Sequence, residues 1–148
     1  TALDNVAVAL ELSGMPSLEA EAAARNALEK VGLSDRMHFI PDQLSGGQQQ
    51  RLTIARAFSH QPEVLCLDEF SIAIDPVTTM KIEDVLKDLR KEMTIILVTN
   101  LVQQARRLAD RTMFMLNGEV VEIGDTEPMF SGNAKQPKTN AFVSGDFG

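Results

Sequence analysis

A chain of 148 residues, 44% apolar and 24% charged, has the material for one ordinary domain or two small lobes. Its formal net charge of −7 argues against a nucleic-acid surface built on phosphate contacts. It leaves room for a single nucleotide held locally by backbone N–H groups. The one cysteine, Cys66, excludes an internal disulfide, and its apolar run reads as core in a reducing compartment. No stretch approaches the roughly 20 apolar residues of a spanning helix, and no signal peptide is visible. The chain starts at Thr1 without a methionine, which reads as a processed or trimmed product.

The first apolar run, "VAVALEL", fits helix or strand by periodicity. "PSLEAEAAARNALEKVGL" predicts an amphipathic helix with Ser17 as its cap. Leu18, Ala22, Arg25, Leu28 and Val31 form its imperfect stripe, and Gly32 stops it. A loop then leads to "LSGGQQQR", Leu44 to Arg51. Ser-Gly-Gly weakens a helix interior but suits a helix start. There Ser45 caps free N–H groups and the glycines admit a close guest. The helix dipole makes that guest an anion. The helix carries Leu52, Ile54, Ala55 and Phe58 and runs to about Ser59.

The rhythm then changes. "EVLCLDE" and "MTIILVTN" are short continuous apolar runs, as in strands covered on both faces. "DPVTTMKIEDVLKDLRKE" between them predicts a helix with Asp75 and Pro76 at its start. "LVQQARRLADR" predicts a helix, and "TMFMLNGEVVEIGD" a hairpin about Asn117-Gly118. Alternating strands and helices predict an α/β layer with parallel strands. The polar tail "SGNAKQPKTNAFVSGDFG" reads as loose up to its last aromatic residues.

Asp68 and Glu69 end the strand "VLCLDE", where ligands gather in open α/β sheets. Adjacent acids at a strand end point in opposite directions. One can hold Mg²⁺ through water while the other orients or deprotonates an attacking water. A solvated acidic turn is the plainer reading of such a pair. The four apolar residues before it, and "LSGGQ" upstream, favour the chemical one.

Taken together, "LSGGQQQR", "ARAFSHQPEVLCLDEFSIAIDP", "TIILVTN" and "DRTMFMLNGEVVEIGD" resemble the ATP-binding subunits of ABC transporters, from the segment after the glutamine loop to the carboxyl end. The resemblance implies an α/β fold: a helical subdomain plus the carboxyl-terminal part of a P-loop NTPase (RecA-like) parallel-sheet core. It implies a helical lobe over 1–60, a partial core over 61–130 and a tail over 131–148. It makes Ser45, Gly46, Gly47 and Gln48 the signature loop. Asp68 becomes the Mg²⁺-side Walker B acid and Glu69 the catalytic base. Ile72, Ala73, Ile74 and Asp75 become the D-loop. "KTNAFVSGDFG" resembles the carboxyl end of phosphate-import ATPases. The implied cofactors are ATP and Mg²⁺. The implied partners are membrane permease subunits and a second ATP-binding subunit, at the inner face of the cell membrane. No nucleic acid is implied.

Three departures stand out. No Gly-x-x-x-x-Gly-Lys-Ser/Thr is present, so the phosphate-cradling loop is absent from this chain. Phe70 stands where the family usually has proline. Asn100 stands at the switch-histidine position, where it can donate a hydrogen bond but carry no charge. His38 and His60 lie elsewhere and read as surface loop residues. By resemblance, then, the anion at Ser45 is the γ-phosphate of ATP, brought by the partner subunit. The competing reading is a truncated, catalytically inactive ABC-like interaction module that self-associates or pairs with an intact ATPase. The family's sheet order places the P-loop strand between "TIILVTN" and the hairpin. Its absence predicts an open apolar edge exposing Ile95, Leu97, Met113 and Met115, and hence association.

Overall fold

The computed structural model describes residues 1–71 and 74–146. Packing divides the chain into two compact units, Thr1–Ile96 and Leu97–Gly148. The division falls well beyond the change of rhythm near Glu63, because the β1–α4 segment packs with the amino-terminal helices.

In the first unit, "VAVALEL" resolves as helix. α1 (Ala2–Leu12) is capped by Thr1, whose hydroxyl accepts from the Asp4 N–H at 3.2 Å. Its apolar face, Ala2, Leu3, Val6, Ala7 and Leu10, is buried. α2 (Ser17–Lys30) starts at Ser17 itself, so the cap falls one residue earlier than expected. Pro16 holds the cap position, and the Ser17 hydroxyl donates to the Glu11 carboxylate instead. The buried stripe of α2 is Ala20, Ala24, Ala27 and Leu28, whereas Leu18 is 86% exposed and Ala22 is exposed. Small alanines let α1 and α2 approach closely, so the helix turns its alanine face inward rather than the leucine of its first turn. α3 (Gly46–Phe58) buries Leu52, Ile54, Ala55 and Phe58.

β1 (Val64–Asp68) alternates: Leu65 and Leu67 are buried, while Val64, Cys66 and Asp68 are exposed. This corrects two sequence expectations. The strand is covered on one face only, and Cys66 is an exposed thiol rather than core. A continuous apolar run has no period of its own, so only packing reveals which face is covered. α4 (Pro76–Leu89) begins at the expected Asp75 cap with Pro76 in its first turn, and buries Ile82, Leu86 and Leu89. It leads to β2 (Thr94–Val98), the hydrogen-bonded neighbour of β1 in a two-stranded sheet. The Thr94 N–H donates to the Glu63 carbonyl at 2.9 Å. The exposed side chains of β2 are Ile96 at 51% and Val98 at 55%. Ile95 and Leu97 are half-buried, so the side chains expected to be uncovered are the sheltered ones and their neighbours are bare.

In the second unit, α5 (Val102–Leu108) precedes the hairpin of β3 (Arg111–Leu116) and β4 (Glu119–Asp125). The strands pair antiparallel from Arg111–Asp125 to Leu116–Glu119, with an irregularity after Phe114. Asn117 and Gly118 turn the chain with φ of +51° and +81°. Two successive positive φ values define the turn type that Asn-Gly favours. The hairpin forms its own two-stranded sheet. Met113 and Met115 are 52% and 54% exposed, as expected.

The tail departs from the sequence expectation of a loose segment. A short helix α6 (Thr126–Pro128) and a kinked turn (Met129–Asn133) bury Thr126, Met129 and Phe130. α7 (Pro137–Ser144) follows, with proline in its first turn and Gly145 closing it at φ +82°. The Glu122 carboxylate accepts from the Lys135 and Gln136 N–H groups at 2.8 and 3.0 Å. Phe142 stacks on Phe114 with ring centroids 4.8 Å apart. No helix among the described residues is long and apolar enough to cross a membrane.

Candidate functional site

The Ser45–Gln48 loop is a helix start in the structure. Ser45 is extended, at φ −63° and ψ 159°, and caps α3. Its hydroxyl accepts from the Gln48 N–H at 3.4 Å, and the Gln48 side-chain oxygen accepts from the Ser45 N–H at 2.9 Å. This reciprocal pair uses two of the four N–H groups that a helix start leaves free. The N–H groups of Gly46 and Gly47 have no intrahelical acceptor. No acidic residue lies in the first turn to neutralise the positive end of the dipole. Ser45 and Gly46 are exposed.

The two glycines do different work. A Cβ on Gly46 would meet nothing within 4 Å, so its bareness keeps the approach open. A Cβ on Gly47 would stand 2.2 Å from the Thr78 Cγ2, so Gly47 is what lets the starts of α3 and α4 touch. Asp75 caps α4 at the same place. Its carboxylate accepts from the Thr78 N–H at 3.0 Å. Hydrogen bonds from the Thr78 side chain and then its backbone hold the Asp75 carboxyl below the usual aspartate range of 3.8. Thr78 was not singled out by the sequence. Its position three residues after a helix-capping Asp was the only available signal.

Asp68 and Glu69 are both exposed at the carboxyl end of β1. Glu69 takes φ +44°, a left-handed backbone unusual for a side chain of its size. Phe70, only 3% exposed, anchors the chain behind it. The extended strand therefore turns at Glu69 while Phe70 returns to the core. Ile72 and Ala73 lie outside the described residues, so of the Ile72–Asp75 stretch the structure describes Ile74 and Asp75. The Ile74 N–H donates to the Ser71 carbonyl at 3.2 Å. Asn100 belongs to the second unit and is exposed just after β2.

No group of three or more His, Cys, Asp or Glu residues suited to hold a metal occurs among the described residues. Asp68 fits Mg²⁺ only as one ligand, the others coming from water and from a bound phosphate, which is how this ion is commonly held. His60 is exposed as expected, with its ring nitrogens 3.3 Å from the Arg56 carbonyl and 3.2 Å from the Ala9 carbonyl.

By sequence the chain is similar to the family described as ABC transporter, which matches residues 1–71. It is similar to two phosphate import ATP-binding proteins. It is 43% identical over 150 residues to PstB 2 of Lactiplantibacillus plantarum, covering 98% of this chain and 59% of that protein. It is 41% identical over 153 residues to PstB of Colwellia psychrerythraea, covering 100% of this chain and 54% of that protein. The chain thus spans a little over half the length of these relatives. In fold it matches a metal-chelate type ABC transporter solved in an inward-facing conformation, with a TM-score of 0.82 at 23% identity, covering 98% of this chain and 58% of that one. The α/β, P-loop NTPase-like fold class follows from this match.

Proposed function

We propose that this chain supplies the lid side of an ATP site in a phosphate importer. In this reading the Ser45–Gln48 loop closes on the γ-phosphate of ATP held by the P-loop of a second ATP-binding subunit. The observation that carries it is the start of α3: a capped helix end with no acid in its first turn and an exposed, unobstructed Gly46. Asp68 would serve as one ligand of Mg²⁺, which offsets phosphate charge in such a site. Glu69, turned outward by its left-handed backbone, would orient or deprotonate the attacking water. Asn100 would donate a hydrogen bond to phosphate, and Ile72, Ala73, Ile74 and Asp75 would form the D-loop. The work would take place at the inner face of the membrane, beside a permease.

A P-loop supplies most triphosphate contacts, and this chain contains none. The isolated chain is therefore expected not to turn over Mg-ATP, since Glu69 has no positioned phosphate to act on. The test is sedimentation of the chain mixed with the L. plantarum relative, with and without Mg-ATP. An ATP-dependent complex lost in Ser45→Arg supports the reading. No complex, one indifferent to ATP, or a turnover by the chain alone that vanishes in Glu69→Gln overturns it.

The bare apolar side chains of β2 and the hairpin favour a second reading, an inactive module that pairs with its own kind. ATP-independent self-association would favour that module over the lid.

A further inference from the structure

We propose that Thr78 is the positioning residue of the Ser45–Gln48 loop, setting how α3 begins by wedging its methyl group against Gly47 while Asp75 holds its backbone N–H. The inference rests on the lid reading for its purpose but not for its geometry.

Thr78 has two arms on one β-carbon. Its backbone N–H donates to Asp75 Oδ1 at 3.0 Å, and the same residue's side chain helps hold the Asp75 carboxylate charged. A β-branched side chain has few χ1 choices, so with the backbone held by Asp75 the methyl keeps one direction. The methyl faces Gly47. A Cβ on Gly47 would lie 2.2 Å from Cγ2, 3.2 Å from Cβ and 3.5 Å from Oγ1 of Thr78. The nearest contact is thus the methyl itself.

Gly47 is buried and Gly46 beside it is exposed. Where Gly47 rests on Thr78 therefore decides where the N–H of Gly46 points. The chain of support runs from Asp75, through the backbone and then the methyl of Thr78, to the backbone of Gly47, and so to the residues that would meet an anion. Phosphate recognition by backbone N–H groups depends on direction, and small displacements at such a site are costly. Thr78 itself touches no ligand in this scheme.

The two arms can be separated by substitution. Thr78→Ser keeps the hydroxyl and removes the methyl. Thr78→Val keeps the shape and removes the hydroxyl. Gly47→Ala forces the clash. The experiment is a double-mutant cycle on the full chain, read by thermal unfolding and by the Gly46 and Gln48 amide resonances. Gly47→Ala is expected to lower Tm by on the order of 5 °C. Adding Thr78→Ser should recover at least half of that loss, while adding Thr78→Val should recover none. Thr78→Ser alone should shift the Gly46 amide with little change in Tm, which a merely structural role would not do. If Gly47→Ala does not fold, recovery of folded protein by Thr78→Ser supports the proposal in the same way, and no recovery overturns it. Additive effects, or an unmoved Gly46 amide in Thr78→Ser, would overturn the proposal. These readouts need no nucleotide, so they stand or fall apart from the ATP-dependent complex that tests the lid reading.

Discussion

Glu69 carries a backbone conformation that its side chain does not favour. A left-handed φ costs a non-glycine residue about 1–2 kcal/mol. Glu69→Gly is therefore expected to raise stability by about 1 kcal/mol, read as a higher urea midpoint, whereas Glu69→Gln leaves the midpoint unchanged. Equal midpoints for the two variants would show that the turn is unstrained. The acid pair at the strand end was legible from its position after an apolar run. Its left-handed turn was not, because glutamate, unlike glycine or asparagine, does not advertise one.

Asp75 gives a pH-dependent expectation. Its folded carboxyl titrates below the ordinary 3.8 because Thr78 hydrogen-bonds the charged form. A depressed folded value contributes stability that is present above the unfolded value and lost as pH falls through the folded one. Wild type should therefore lose stability below about pH 4, and Asp75→Asn should lose less over the same range. Parallel acid-unfolding curves for the two proteins would contradict this. The Asp75-Pro76 start of α4 was readable directly, since an acidic cap followed by proline has one common use.

Among the elements, α7 depends most on contacts from elsewhere in the chain. Its sequence is rich in polar residues and offers little apolar stripe, so local propensity alone reads as coil. Three features hold it. Glu122 on β4 receives the N–H groups just ahead of the helix, Pro137 presets the first turn, and Phe142 stacks on Phe114 of β3. The Glu122 carboxyl is held below its ordinary 4.5, chiefly by the Lys135 N–H. Glu122→Ala is expected to speed amide exchange across 137–144 at least tenfold while leaving α3 unchanged. Uniform protection in both regions would show that α7 does not need this anchor. The hairpin next to it was legible because Asn-Gly between two apolar runs dictates its own turn. α1 was ambiguous for the opposite reason: "VAVALEL" suits either period until a partner helix covers one face.

For the molecule as a whole, the α/β class was legible because it rests on the alternation of elements. The covered faces of the strands were not, since these depend on what lies against them. Among the described residues β2 has a strand neighbour on one side, and Ile96, Val98, Met113 and Met115 are more than half exposed. Unpaired apolar strand edges favour association. The chain is therefore expected to sediment as an oligomer at micromolar concentration, and Ile96→Lys to shift it towards monomer. A wild-type monomer at every concentration would show that these bare side chains are tolerated in water. Periodicity placed α3 and α4 well, left α1 open, missed α7, and misjudged the inward face of α2, where close alanine packing outranked the larger Leu18.

The exposed thiol of Cys66 turns this uncovered strand face into its own indicator. It stands between the buried Leu65 and Leu67 and shares its face with Val64 and Asp68. A thiol-reactive dye will modify it at the rate of an open cysteine as long as nothing lies over β1. Any chain, copy or segment that settles there will slow that reaction in proportion to how much of the time it stays. With a single cysteine in the sequence, the labelling rate measures the covering of one place, free of any background from elsewhere.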